Sequence, residues 1–456
     1  MCRTDRASAL RAFKLKLGID YRNRMKFKKD QAKDIHGHYV ALLICIAGFV
    51  VMGSYYFPGY VSHDAEVALA SLLAGSPTDW HSPYLAVWLL VSQSILPASW
   101  DPAIGPTLTI LGPFWTGLYL MARRAAGIGW YWGVAIALIG WFPPLFMSLA
   151  GYGKDTALVA LFTLALGCIY TMNRRRPLQF LVLILVIGTC LTLGVTIRTN
   201  AIFAVVPILF LVAMTVGPKW LLRYQLVATL ILWLGLLGIS QFANYAVFDT
   251  KRSYSIQYVL LSDIFAMNYV RGEFLVPEIV AQNTPELTEE VFRDRHTLTP
   301  LIDWALWGNS DINMYQVQTD EEFRQLRDFW IERMWSDPVS YIQFKFRFFD
   351  SLMSREGQNL FRQTLFQGWW YLILLTVGLL IFSQQLKTNQ GEPVINKSGL
   401  MMALSGLFYL LPYTLLQGGA GFRFLLWGVV ASALMGVCLI ITSLSLLRRN
   451  IVSEQL

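Results

Sequence analysis

Apolar runs on the scale of a bilayer crossing, about 17 to 25 residues each, recur along this chain and leave few folds open to it. They run from Tyr39 to Phe57, Ala103 to Ala122, Gly129 to Ala150, Thr156 to Met172, Pro177 to Thr196, Ala201 to Val216, Tyr224 to Ala243, Trp369 to Phe382, Gly399 to Leu416 and Phe424 to Leu447. In hydrocarbon every backbone N–H and C=O must find its partner inside the segment, so each run is expected to be a helix. With 55% hydrophobic and only 14% charged residues, the chain lacks the polar surface a soluble domain needs. The expected fold is an all-α polytopic membrane protein with about ten transmembrane helices.

The net charge of +8 is read through its placement. Eleven Lys and Arg residues stand against four acids in the first 35 positions. The other clusters, Arg123 with Arg124, Arg174 to Arg176, Lys219 with Arg223, and Arg448 with Arg449, each sit at the end of a run. This is the positive-inside pattern, with attraction to anionic membrane lipid, rather than a nucleic-acid surface. The hydrophilic N-terminus is too long for an ordinary signal peptide and no small-residue cleavage site follows Phe57, so the first run reads as an uncleaved span. The translation start is Met1 or Met25. Cys45, Cys168, Cys190 and Cys438 fall inside spans and Cys2 in the basic tail, which gives neither a disulfide framework nor zinc spacing.

One apolar segment, Tyr84 to Leu96, is too short to cross and reads as an interfacial helix. Treating it so puts every basic cluster on the inner face of the plasma membrane, with both termini cytoplasmic; treating it as a span would put them outside. The domain plan is then a basic cytoplasmic tail, 1–38, a transmembrane region, 39–243, with a first outer loop, 58–102, a large outer loop, 244–366, of about 120 residues, a C-terminal transmembrane region, 367–447, and a cytoplasmic tail, 448–456. The second half of the large loop has helical periodicity broken at Pro338. After that proline, aromatics mix with Lys345 and Arg347, as in a helix lying on a membrane surface.

This topology gathers His63, Asp64, Glu66, Asp79, His81, Lys154, Asp155, Arg198 and Arg423 at the outer face, most within a few residues of a span end. Ionisable groups at the hydrocarbon edge are expensive and tend to be functional. In the Asp-x-Glu pair, Asp64 can accept a proton from an attacking hydroxyl while Glu66 orients it or holds a divalent metal. Trp80 and Pro83 fix His81 at membrane level; His63, Asp64, Asp79 and His81 together would make a conceivable zinc site, though without a close pair at helical ligand spacing. Pro143 and Pro144 bend or break the span before Lys154 and Asp155, where Lys154 suits a phosphate and Asp155 an acceptor. Three glycines approach Arg423, whose guanidinium suits bidentate phosphate binding. The bland alternatives are solvated carboxylates, a helix cap at Asp155 and a snorkelling Lys154.

The order of these features resembles the GT-C class of membrane glycosyltransferases: a basic tail, one span, an outer Asp-x-Glu, a His-x-Pro opening a flat helix, a Lys-Asp after a proline-broken span, a large outer loop and a late Arg-aromatic pair. Within that class it is similar to the protein O-mannosyltransferase and aminoarabinose-transferase group and to bacterial membrane proteins with a "SHD … DWHPP … KD" pattern; "LLSDIFAMN" and "DPVSYIQFKFRFF" carry the likeness into the large loop. The resemblance implies a polyprenyl-phosphate-linked sugar donor and an outer acceptor, be it glycan, lipid or protein. It implies Asp64 as base with Glu66 as its partner, Asp155 at the second outer loop's acidic position, and Arg423 on the donor phosphate; from their own chemistry, Lys154 and Arg198 are the next candidates for that phosphate. The family's His-Pro-Pro reads His81-Ser82-Pro83 here. No resident cofactor is implied. The rival readings are a polysaccharide polymerase or ligase using the same donor and a transporter or flippase, which would carry its charges near the bilayer midplane.

Overall fold

A computed structural model describes residues 36–149, 151–217, 222–295, 312, 314–354, 365–388, 393–413 and 425–454. Most of the expected N-terminal tail, with Cys2 and Met25, lies outside the described residues. The described chain is overwhelmingly helical. Six helices are long and apolar enough to cross a membrane: His36–Tyr55 (α1), Lys154–Thr171 (α7), Pro177–Ile197 (α8), the stretch Leu222–Val247 that contains Leu222–Phe242 (α10), Gly368–Lys387 (α16) and Leu426–Leu447 within Leu426–Glu454 (α18). The architecture is therefore an all-α, multi-pass membrane protein.

The remaining expected crossings differ from simple spans. Ile104–Ala126 (α4) is a long helix but is buried along most of its length, so its composition is freed from matching lipid. The run from Gly129 to Ala150 is not one helix. Trp130–Ala137 (α5) tightens into a 3₁₀ turn at Leu138–Trp141, Phe142 is extended, and Pro143–Ser148 (α6) restarts the chain. Pro143 forces this, because the residue before a proline is pushed out of helical conformation. Ala201–Val216 (α9) and Pro393–Leu410 (α17) are apolar but short.

α4 and α7 cross through Gly117 and Gly167, where a Cβ on Gly167 would lie 2.6 Å from the Gly117 carbonyl oxygen. In lipid, where burial of apolar surface gives helices little reason to associate, such close backbone approach supplies the packing. α7 is buried on nearly all sides, and this axial helix begins at Lys154.

Between α1 and α4 the chain forms a two-residue strand, Tyr60–Val61 (β1), then His63–Leu73 (α2) and Pro83–Ser94 (α3). β1 pairs in parallel with Gly151–Tyr152 (β2), Tyr60 facing Gly151 and Val61 facing Tyr152. A side chain at Gly151 would collide with the Tyr60 ring. At 12 residues, about 18 Å long, α3 cannot cross a core of about 30 Å. It packs Leu85, Ala86 and Leu89 inward, and the Tyr152 hydroxyl donates to its Leu85 carbonyl at 2.6 Å.

The large loop has its own core. Gln257–Arg271 (α11), Glu278–Asn283 (α12), Glu289–Arg295 (α13), Asp320–Trp335 (α14) and Pro338–Met353 (α15) enclose Leu261, Ile264, Phe265, Val280, Phe292 and Leu326. The break between α14 and α15 falls at Pro338, as its sequence implies. Thr319 and Glu322 form a reciprocal capping box at the start of α14. Buried within this domain, Lys345 Nζ lies 2.6 Å from Asp263 Oδ1, while Tyr341 and Trp330 donate to Asp263 Oδ2 at 2.9 and 3.1 Å. Burial pushes the Asp263 carboxyl above its usual range against the opposing pull of these three groups.

Candidate functional site

The pairing of β1 with β2 brings the segment between α1 and α4 onto the N-terminus of α7. Ser62 N–H donates to the Tyr152 carbonyl at 2.8 Å, so the chain enters α2 already registered against the residues before Lys154. Just after β2, Thr156 Oγ1 in α7 accepts from Gly153 N–H at 3.1 Å and donates to the Gly151 carbonyl at 2.7 Å, fixing the first turn of the helix. Asp64 of α2, His81 before α3 and Lys154 of α7 consequently converge. Asp64 Oδ1 stands 4.0 Å from His81 Nδ1, and Asp64 Oδ2 stands 4.0 Å from Lys154 Nζ. Lys154 also donates to the Trp80 carbonyl at 2.9 Å. The Asp64 side chain remains 20% exposed while that of Lys154 is 8% exposed, so the carboxylate is the member of the pair open to an arriving molecule.

A second charged pair lies at the next residue. Asp155 Oδ1 is 3.0 Å from Arg198 Nε, at the C-terminal end of α8, and Arg198 donates from its terminal nitrogen to the Tyr413 hydroxyl at 3.0 Å. Burial works against charge on Arg198, yet the Asp155 carboxylate and the tyrosines hold the guanidinium well above its usual range. Each member also suits its helix end, acid in the first turn of α7 and base at the end of α8. Lys154 does not suit its own: a cation in a first turn faces the positive pole of the helix dipole.

The other sequence candidates separate. Asp79 is turned to the large loop, accepting from Tyr245 Oη at 2.7 Å, from Ser253 N–H at 2.7 Å and from the Ser253 hydroxyl. Thr78 bridges to Lys251, and Trp80 meets Tyr258 edge to face at 4.6 Å. Asp79 thus fastens the segment between α2 and α3 to the start of the large loop. His63 and Glu66 are exposed. Among the described residues no group of three His, Cys, Asp or Glu side chains is placed to hold a metal ion, so His63, Asp64, Asp79 and His81 do not assemble as a zinc site. Arg423 lies outside the described residues.

Tyr413, Tyr245, Ser253 and the β1–β2 pairing were not singled out by sequence. Tyr409 and Tyr413, one helical turn apart in an apolar stretch, were the available signal; their hydroxyls are 3.5 Å apart. Comparison with protein-family models, curated protein sequences and solved structures finds no match for this chain.

Proposed function

We propose that the protein is a membrane glycosyltransferase that moves a sugar from a polyprenyl-phosphate donor to an acceptor hydroxyl at the outer face, with Asp64 as general base. The observation that supports it is the convergence of Asp64, His81 and Lys154 from three separate segments, with the Asp64 side chain still 20% exposed. In the transfer, the acceptor oxygen forms its bond to the anomeric carbon while the acceptor proton passes to Asp64 and the bond from that carbon to the lipid-phosphate oxygen breaks. The departing phosphate gains negative charge beside the Lys154 ammonium and the N-terminal N–H groups of α7, both suited to an anion. Asp155 and Arg198 hold α7 and α8 in register behind it, and His81 orients the Asp64 carboxylate. About ten crossings, counting the broken α5–α6 segment and the short α9 and α17, leave both termini on the inner face.

The test uses lipid-linked sugars extracted from the host's own membranes and measures free polyprenyl phosphate released by the purified protein. Asp64→Asn is expected to lower turnover about a hundredfold or more, while Glu66→Gln changes it little. Equal release by Asp64→Asn and wild type would return Asp64 to the role of a solvated surface carboxylate. A host lacking the protein separates the rival reading: an envelope glycan missing one sugar supports the transferase, and an unpolymerised repeat supports a polymerase.

A further inference from the structure

At the far end of the bundle from Asp64 lies a cavity of about 430 Å³. It sits where the C-terminal end of α4 meets the ends of α7 and α17 and the middle of α18, and its wall includes Tyr170, sixteen residues along α7 from Lys154. At 1.5 Å per residue that separation is about 24 Å, close to the thickness of a hydrocarbon core. The cavity therefore opens at the membrane boundary opposite the Asp64 cluster. Its volume lies within the range of about 300 to 1,000 Å³ typical of small-molecule sites.

The lining is hydrocarbon apart from a few groups. Ile136, Ile395 and Leu434 supply apolar wall, and the two hydroxyls inside are satisfied by the protein. Tyr170 is hydrogen-bonded to Ser398, and Ser398 donates in turn to the Val394 carbonyl at 2.9 Å. The interior asks nothing polar of an occupant. At its edge stands Arg124, exposed, and among the described residues the cavity lining holds no carboxylate. An aliphatic slot with one cation at the level of the headgroups matches a molecule with a hydrocarbon chain and an anionic head.

We propose that this cavity holds an acyl chain of an anionic phospholipid, with the headgroup phosphate on Arg124. The proposal is independent of the transferase reading, since the cavity and Asp64 lie at opposite ends of α7. Arg124 supplies a fork of donors to two phosphate oxygens, and the apolar wall sets which chains fit. A lipid bound there ties α4, α17 and α18 together at the end of the bundle where Arg124 stands.

Native mass spectrometry of the detergent-purified full chain, titrated with phosphatidylglycerol and with phosphatidylcholine of identical chains, tests it. Wild type should retain one phosphatidylglycerol at least about tenfold more tightly than phosphatidylcholine, and Arg124→Gln should abolish that preference. Leu434→Trp, which fills the slot with Arg124 intact, should remove retention of both lipids; a thermal unfolding scan checks that it is folded. Arg124 is exposed, so Arg124→Gln carries the test even if the tryptophan variant fails. Inorganic phosphate is the third arm: if it displaces the lipid at equal concentration, the site binds a bare anion and the acyl-chain proposal is overturned. Equal retention of phosphatidylglycerol by wild type and Arg124→Gln overturns it as well.

Discussion

Replacing Lys345 by methionine keeps the length of the side chain and removes the ammonium 2.6 Å from Asp263. Asp263 is 1% exposed and Lys345 5%, so water cannot take over the lost partner. Breaking such a pair costs about 3 to 5 kcal/mol. The deficit has a ceiling, because Asp263 can escape by taking a proton. Protonation costs about 1.4 kcal/mol for each pH unit above the carboxyl's unfolded value, hence about 4 kcal/mol at pH 7 from an ordinary value of 3.8. The sign follows from the direction of the shift. Burial raises the folded pKa above the unfolded one, and without Lys345 the largest influence opposing that rise is gone. The variant's stability is then complete below 3.8 and is lost as pH climbs through the raised folded value. Between the folded value in wild type and the higher one in the variant, acidification should shrink the deficit by about 1.4 kcal/mol per unit. Hydrogen exchange of the amides in α11, corrected for intrinsic rate, reads this local opening without requiring the whole membrane protein to unfold in one step. Adding Asp263→Asn to Lys345→Met should recover most of the loss, since asparagine keeps an acceptor for Tyr341 and Trp330 but carries no charge. Unchanged protection of residues 257–271 in Lys345→Met at pH 7, or a deficit that does not move with pH, would refute the reasoning.

Two further predictions bear on placement. Asp79→Ala leaves the Ser253 N–H and the Tyr245 hydroxyl without their acceptor, at a cost of roughly 2 to 3 kcal/mol, and limited proteolysis should cut faster between residues 248 and 256. Single cysteines at Ser99 and Ile128, both exposed positions, placed in a cysteine-free chain, should react with an impermeant thiol reagent from opposite sides of the membrane; labelling of both from outside would contradict the proposed topology.

What the sequence carried and what it did not divide along a physical line. Apolar length announces a crossing helix because the bilayer imposes the same demand on every segment, and the break before α6 is written in Pro143 and Pro144. The burial of α4 is not announced by length, because a helix surrounded by protein need not be as apolar as one facing lipid. Its signal was Gly117, which is meaningful only once Gly167 is known to lie opposite. The tie from Asp79 to Ser253 joins residues 174 positions apart, and no local pattern encodes it. Asp64 and Glu66 show the opposite failure. Two residues apart on a helix face different sides, so once residues 63–73 form α2, Asp64 can turn inward only if Glu66 turns out.

The same reasoning separates Lys154 from its neighbours. Asp155 and Arg198 are explained by the fold: each matches the dipole of its own helix end, and each neutralises the other at 3.0 Å. Lys154 is placed against the dipole of α7, is 8% exposed, and rests on a backbone carbonyl and on a carboxylate at 4.0 Å, beyond hydrogen-bond reach. A chain selected for stability alone would favour a polar or acidic residue there, because a first-turn cation costs roughly 0.3 to 1 kcal/mol and a buried ammonium costs more. The 4.0 Å between Lys154 Nζ and Asp64 Oδ2 is longer than a direct hydrogen bond. A phosphate approaching the N-terminus of α7 would meet a cation there, and a hydroxyl approaching Asp64 would meet an acceptor. That combination, a position poor for stability beside a carboxylate still open to arrival, is why the proposed chemistry rests on Asp64 and Lys154 rather than on the tighter Asp155–Arg198 pair.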